Sequence, residues 1–132
     1  MQSFSFRQMK SLRILESLES NITLMNCYFQ NNMFLQNDLP IFFMNGSNNG
    51  STQNFENIYF NQNIFNSNGI FFTGNNQNII ITSVTFVNNA GNGTFLTFDT
   101  IENGFITLAN YIEFSNNSYG NFKFMHFFNL FL

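Results

Sequence analysis

The sequence predicts an all-β fold, a right-handed parallel β-helix of about four coils, and three observations support this prediction. Short apolar strands recur along the chain, as in IIITSVTF and TFLTF between Ile79 and Phe98. Turns rich in asparagine and glycine separate these strands. Four of the strands end in the motif Phe-x-x-Asn, and the phenylalanines of that motif are 31, 26 and 28 residues apart. Self-similarity with a period of about 20 to 50 residues is typical of stacked repeat architectures.

The four copies of the motif share one frame. They begin at Ile22 (ITLMNCYFQNN), Phe55 (FENIYFNQN), Ile79 (IIITSVTFVNN) and Ile106 (ITLANYIEFSNN). Each alternates apolar with polar residues, which is the pattern of a strand that is buried on one face only. We expect the phenylalanines to stack inside the solenoid, one copy on the next. The structural repeat residues are therefore Phe29, Asn32, Phe60, Asn63, Phe86, Asn89, Phe114 and Asn117.

Two further positions recur in every copy. The residue before the motif alternates outward, and this position holds Tyr28, Tyr59, Thr85 and Glu113. A bend is expected at Asn26, Asn57, Ser83 and, after a one-residue insertion, Asn110. Stacked amides at such a bend can hydrogen-bond from coil to coil.

A second apolar strand follows each copy of the motif. These strands are IFFM from Ile41, IFFT from Ile70, TFLTF from Thr94 and NFKFM from Asn121. Gly69, Gly93 and Gly120 precede the last three, where we expect a turn with positive φ.

Residues 1–20 differ from the rest of the chain. Met9, Leu12, Leu15 and Leu18 recur every three residues, which favours an amphipathic helix. Because the ends of solenoids need caps, we expect this segment to be a short N-terminal capping helix. In the competing interpretation, LRIL is another strand of the stack. The predicted division is therefore an N-terminal cap over residues 1–20 and parallel β-helix repeats over residues 21–132.

The composition excludes several classes of protein. Charged residues make up 8% of the chain, against about 25% in typical domains. The chain contains 26 asparagines and 21 phenylalanines, and so many aromatic residues argue against disorder. A net charge of −3 with four Lys and Arg argues against a nucleic-acid partner. The chain has no apolar run of about 18 residues, so no transmembrane helix is predicted. The first twenty residues lack the apolar stretch and cleavage site of a signal peptide.

No catalytic constellation, cofactor site or metal site is predicted. Asp99 and Glu102 could meet across a turn, but the carboxylates otherwise fall at different points of the repeat. These carboxylates are Asp38, Glu56, Asp99, Glu102 and Glu113. Lys123 is the only lysine or arginine beyond Arg13, so a lyase-type base is poorly supported. His126 has no second ligand near it in sequence. Cys27 occupies the apolar position of Ile58, Val84 and Ile112, which indicates a small buried hydrophobe.

Two kinds of surface site are expected. Five Asn-x-Ser/Thr sequons are candidate glycosylation sites: Asn21, Asn45, Asn49, Asn92 and Asn116. Tyr28 and Tyr59 face outward in successive coils, so their rings are candidates for stacking against a ligand.

The Phe-x-x-Asn endings, with apolar strands between them, resemble the right-handed parallel β-helix or pectin-lyase-like superfamily over residues 21–128. More narrowly, they look like the repeats of chlamydial polymorphic outer-membrane proteins and of large β-helix surface proteins in protists. The bacterial repeats also carry a Gly-Gly-Ala-[Ile/Leu/Val] element, to which Gly69-Ile70, Gly93-Thr94 and Gly120-Asn121 are partial counterparts. The resemblance implies a surface or adhesion role and a location at the cell surface or outside the cell.

We therefore expect a non-catalytic β-solenoid scaffold of the surface or adhesion type, forming a portion of a longer repeat protein. The alternative is a degenerate or partial carbohydrate-active domain. Its partner would be a protein or a carbohydrate, and its apolar C-terminal stretch also suggests end-to-end self-association. The alternative fold is a leucine-rich repeat, in which short strands are also followed by asparagine.

Overall fold

The computed structural model describes residues 4–7, 10–11, 15–18, 20–34, 40–46, 50–66, 68–99 and 103–128. These residues form strands and turns, and none of them belongs to a helix. Accordingly, no helix long and apolar enough to cross a membrane occurs in this part of the chain. The strands are β1 (Phe4–Arg7), β2 (Lys10–Ser11), β3 (Leu15–Leu18), β4 (Ile22–Gln30), β5 (Met33–Phe34), β6 (Phe42–Asn45), β7 (Ser51–Asn61), β8 (Ile64–Phe65), β9 (Ile70–Thr73), β10 (Gln77–Val87), β11 (Ala90–Asp99), β12 (Phe105–Ser115) and β13 (Ser118–Phe128).

The strands form a parallel β-solenoid, as predicted. One wall, here called the first wall, contains β1, β4, β7, β10 and β12 in that order, all parallel. The remaining strands form a second sheet in the order β2-β5-β8-β11-β9-β6-β3, and β13 pairs with β11. Strand β11 is long enough to pair with both β8 and β9, so it follows the wall around a corner. Each turn therefore adds one strand to the first wall, and it adds either two short strands or one long strand to the second sheet.

The solenoid has about three turns, slightly fewer than the four predicted. Four copies of the motif enclose three periods. Starting from β4, the chain returns to the first wall in β7, β10 and β12.

Phenylalanine columns fill the interior. The motif phenylalanines lie opposite one another in the strand register, and Phe29, Phe60 and Phe86 are at most 1% exposed. Ring centroids are 4.8 Å apart for Phe29 and Phe60, 4.6 Å for Phe60 and Phe86, and 5.3 Å for Phe86 and Phe114. Phe95 of β11 packs against this column from the opposite wall, 4.2 Å from Phe86. The stacking thus follows directly from the repeat of the motif.

The motif asparagines form a buried hydrogen-bonded column, here called the asparagine ladder (Asn32, Asn63, Asn89 and Asn117). The Oδ1 atom of Asn63 accepts from both the backbone N–H and the Nδ2 of Asn32, at 3.0 Å each. The same pair of bonds joins Asn63 to Asn89 and Asn89 to Asn117. The Nδ2 atoms of Asn63, Asn89 and Asn117 also donate to the motif phenylalanine carbonyl one layer earlier, as Asn63 does to Phe29 at 2.9 Å. The aromatic interior therefore contains a column of asparagine side chains in which every backbone N–H bond runs from one layer to the next.

The corners of the solenoid explain the abundance of asparagine. In the described part of the chain, ten non-glycine residues have positive φ: Asn26, Asn31, Asn57, Gln62, Asn76, Ser83, Asn88, Asn103, Asn110 and Asn116. Asparagine tolerates the left-handed conformation better than most residues, because its short amide can hydrogen-bond locally. The predicted bend is confirmed at all four of its positions, and Asn57 Nδ2 donates to Asn26 Oδ1 at 3.2 Å. The predicted one-residue insertion appears as a register shift between β10 and β12.

The capping helix predicted for residues 1–20 is wrong where the structure describes that segment. Strand β1 pairs with β4, β2 with β5, and β3 with β6, all in parallel. The exposed edge of β4 offers hydrogen bonds to a whole strand, which outweighs a weak helical pattern of four apolar residues. Met9 and Leu12 of that pattern lie outside the described residues. Whether this layer acts as a cap stays a prediction.

Gly69, which precedes the second strand β9, does not have the positive φ that was predicted for it. Glycine is needed there because the backbone of a neighbouring strand lies very close. A Cβ atom at Gly69 would lie 2.7 Å from the carbonyl oxygen of Phe95, so no side chain fits. Gly91, with φ of 144°, needs glycine for both reasons, because a Cβ there would meet the Phe65 carbonyl oxygen at 1.8 Å.

Candidate functional site

The outward row of the first wall is arranged as predicted. Tyr28, Tyr59, Thr85 and Glu113 lie opposite one another on β4, β7, β10 and β12. Tyr28 is 47% exposed, whereas Tyr59 is half-buried by its neighbours on both sides. The two tyrosine rings are 6.0 Å apart between centroids and inclined at 51°. Strand pairing therefore holds two aromatic rings side by side on the outer surface.

A shallow depression of about 190 Å³ adjoins these rings, and we call it the tyrosine site. Its lining is formed by Tyr28, Asn57, Ile58, Tyr59, Ser83 and Thr85. Asn57 and Ser83 are the left-handed bend residues of β7 and β10, so the backbone turns at this point. The bend stacks from one turn to the next and places an amide and a hydroxyl beside the rings. The sequence identified the tyrosines, but only the folded corner brings Asn57 and Ser83 to them.

The chemistry of the tyrosine site is neutral. Tyrosine and serine or threonine hydroxyls can donate and accept hydrogen bonds, and the asparagine amide can do both as well. The lining contains no aspartate, glutamate, lysine, arginine or histidine. Aromatic faces with a few convergent polar groups suit a ligand that has an apolar face and hydroxyls at its edge.

A second polar cluster lies on β12, where Glu113 accepts two hydrogen bonds. Tyr111 OH donates to Oε2 at 2.7 Å, and Ser115 Oγ donates to Oε1 at 2.5 Å. The bond from Ser115 and then that from Tyr111 hold the pKa of Glu113 below its ordinary value. The hydrogen bond from Tyr111 OH to Glu113, and then the negative charge of Glu113, raise the pKa of Tyr111. Tyr111 is the inserted residue of the fourth copy, so the insertion itself was the sequence signal for this cluster.

Among the residues whose side chains the structure describes, the three carboxylates lie on different strands. Glu56 lies on β7, Asp99 on β11 and Glu113 on β12, in separate rows of separate strands. Asp38 and Glu102 lie outside the described residues, so the predicted meeting of Asp99 with Glu102 stays a prediction. The backbones of Lys123 and His126 belong to β13. In the described ranges, no group of three or more His, Cys, Asp or Glu side chains could hold a metal ion.

Cys27 lies in the core, as its repeat position predicted. It is 3% exposed, and burial raises the pKa of its thiol. Its Sγ donates weakly to the Met25 carbonyl oxygen at 3.5 Å. A buried neutral thiol of this kind is an unreactive core residue.

The sequons occupy different surroundings. Asn21, Asn92 and Asn116 are exposed, whereas Asn45 is half-buried and Asn49 lies outside the described residues. Asn21 Oδ1 accepts a hydrogen bond from the backbone N–H of Thr52 at 2.7 Å, which leaves its Nδ2 available for modification. Glycosylation at these residues stays a prediction.

The solenoid interior also contains buried glutamine and serine side chains, which were not predicted from the sequence. Gln53 and Gln77 are fully buried, and Ser51 lies opposite Gln77 in the strand register. The Nε2 atom of Gln53 donates to the Ser20 carbonyl oxygen at 2.8 Å, and that of Gln77 donates to Thr73. Among the described residues, Ser51 Oγ, Gln53 Oε1 and Gln77 Oε1 have no hydrogen-bond partner.

Comparison with protein-family models, curated proteins and solved structures gives no match for this chain.

Proposed function

We propose that this protein is a non-catalytic solenoid scaffold of the surface or adhesion type that binds a neutral carbohydrate at the tyrosine site. The observation that supports this proposal is the pair of outward rings of Tyr28 and Tyr59 beside an uncharged depression. A sugar ring presents an apolar C–H face and equatorial hydroxyls. The former suits an aromatic ring, and the latter suit the amide of Asn57 and the hydroxyls of Ser83 and Thr85.

The strands below the tyrosine site favour binding through preorganisation. Tyr28 and Tyr59 alternate along their strands with Cys27, Phe29, Ile58 and Phe60, which are all buried in the core. Side chains on paired strands lose little backbone freedom when a ligand binds, so less binding free energy is spent on ordering. The resemblance of the repeats to surface proteins supports the adhesion role.

The test is a titration of the isotope-labelled chain with neutral oligosaccharides of glucose, mannose, xylose and N-acetylglucosamine, followed by amide NMR. We expect at least one of them to shift the amides around Asn57 and Thr85. Replacing both Tyr28 and Tyr59 with Ala should weaken that binding at least tenfold, because two stacking faces are lost. Tyr28→Phe should keep most of the affinity, since the ring remains.

Tyr111→Ala is the matched control, because Tyr111 is also exposed, at 57%, but lies outside the depression. It should leave the affinity unchanged. The proposal is refuted if none of the sugars shifts these amides, or if the double alanine variant binds as tightly as the parent chain.

The second candidate is a degenerate carbohydrate-active domain. It is favoured by Glu113, an ionised carboxylate in the same outward row as the two tyrosines. Release of reducing sugar from a bound oligosaccharide, and its loss in Glu113→Gln, would support this candidate over a purely binding role. Because glycoside hydrolysis uses two carboxylates, such activity would also require a second acid near Glu113.

A further inference from the structure

The last strand of the first wall, β12, has an open side. It pairs with β10 on one side, and no strand among the described residues pairs with the other. Its inward residues are less buried than their counterparts on β10. Leu108 is 39% exposed although Ile81, which lies opposite, is fully buried. We call this open side the β12 edge.

The β12 edge also presents directed hydrogen-bond donors. Every earlier asparagine of the ladder donates its backbone N–H to the Oδ1 of the next asparagine, at 3.0, 2.9 and 2.9 Å. The neighbouring corner amides of Asn31, Gln62 and Asn88 likewise donate to a carbonyl oxygen of the next layer, at 3.1, 3.2 and 3.1 Å. Asn116 and Asn117 are the last members of these two series. Their N–H groups have no acceptor within the described part of the chain.

We propose that the β12 edge is a docking site for a β-strand that carries the pattern apolar-x-Phe-x-x-Asn. Such a strand adds a parallel layer to the sheet, so its backbone satisfies the free side of β12. Its phenylalanine stacks on Phe114 and continues a column whose rings are 4.6 to 5.3 Å apart. Its asparagine Oδ1 accepts from Asn117, as Asn117 Oδ1 accepts from Asn89.

The N-terminal layer of a second copy fits this edge less well. Strand β1 pairs with β4 such that Phe6 lies opposite Phe29. Three residues after Phe6 the sequence has Met9, where the other layers have asparagine. Methionine offers only a weak thioether acceptor, so head-to-tail stacking of two copies would interrupt the ladder at Asn117. The partner that the chemistry of the edge favours is therefore another Phe-x-x-Asn layer.

The experiment uses the full chain and a synthetic peptide with the sequence of Ile79–Asn89, followed by two lysines for solubility. Hydrogen exchange measured by NMR reports which backbone amides the peptide protects. We expect protection of Asn116, Asn117 and alternate amides of β12, with no change in β7. A second peptide with methionine at the ladder position should bind about tenfold more weakly, which corresponds to the loss of one buried hydrogen bond.

Two matched variants of the chain complete the test. Leu108→Lys places a charge on the β12 edge and should abolish peptide binding. Met25→Lys changes a side chain of similar exposure, 40%, on β4, and should leave binding intact. Equal affinity for the two peptides, or an absence of protection at β12, would refute the proposal. Concentration-dependent chains of copies that Leu108→Lys dissolves would identify a second copy as the occupant and would likewise overturn it.

Discussion

Asn63→Ala should be among the most destabilising single changes of a polar residue in this protein. The side chain is 1% exposed and takes part in four hydrogen bonds, at 2.9 to 3.0 Å. Alanine would leave the buried N–H of Asn32 without this acceptor, which costs about 1–3 kcal/mol. The bonds from Asn63 Nδ2 to Phe29 and Asn89 contribute about 1 kcal/mol each. We therefore expect the free energy of unfolding to fall by about 3–5 kcal/mol, a large part of the stability of a small domain.

The assay is equilibrium unfolding in urea, with the free energy taken from the midpoint and the slope. Asn78→Ala is the matched control, because Asn78 is also a strand asparagine but is exposed on the outer face of β10. Its change should lie within about 0.5 kcal/mol of zero. A similar small loss for both variants would show that the asparagine ladder does not stabilise the fold, and the argument from buried hydrogen bonds would be refuted.

Three further predictions concern stability and pH. Thr97→Val should raise the free energy of unfolding by about 1 kcal/mol in urea, because Thr97 is 5% exposed and its Oγ1 has no partner among the described residues; the exposed Thr107→Val should change it little. Ser83→Asn should raise the melting temperature, since Ser83 has a φ of 59° and asparagine adopts positive φ more readily than serine does. Glu113 should titrate below its ordinary value of 4.5 by carboxyl NMR, and Ser115→Ala should raise its pKa towards that value. Because the folded pKa of Glu113 is lowered, its stabilising contribution is present above the unfolded pKa and is lost as pH falls through the folded pKa.

Several features of the fold were predictable because the repeat is visible in the sequence. The register of Phe29, Phe60 and Phe86 follows from the spacing of one motif, and alternation of residues decides which side chains point inward. The bend and the inserted residue of the fourth copy were predicted in the same way, by aligning the copies with one another. The candidate site was predictable only in part. Tyr28 and Tyr59 were identified by their outward positions, whereas the depression beside them depends on how the corner folds.

The repeats alone were enough to derive the strand order, the inward and outward faces, and the chemical character of each wall. These follow from local alternation and from copies of one motif, which must stack like on like if the apolar faces are to be buried. The conformation of residues 15–18 depended on long-range pairing: this segment has a weak helical period in sequence, but it forms β3 and pairs with β6. The tertiary structure also decided which atoms remain without partners, at Ser51, Gln53 and Gln77 inside and along β12 at the edge. The physical reason is that the hydrogen bonds between layers of a solenoid join residues about 26 to 31 positions apart, so no local stretch of sequence contains both partners.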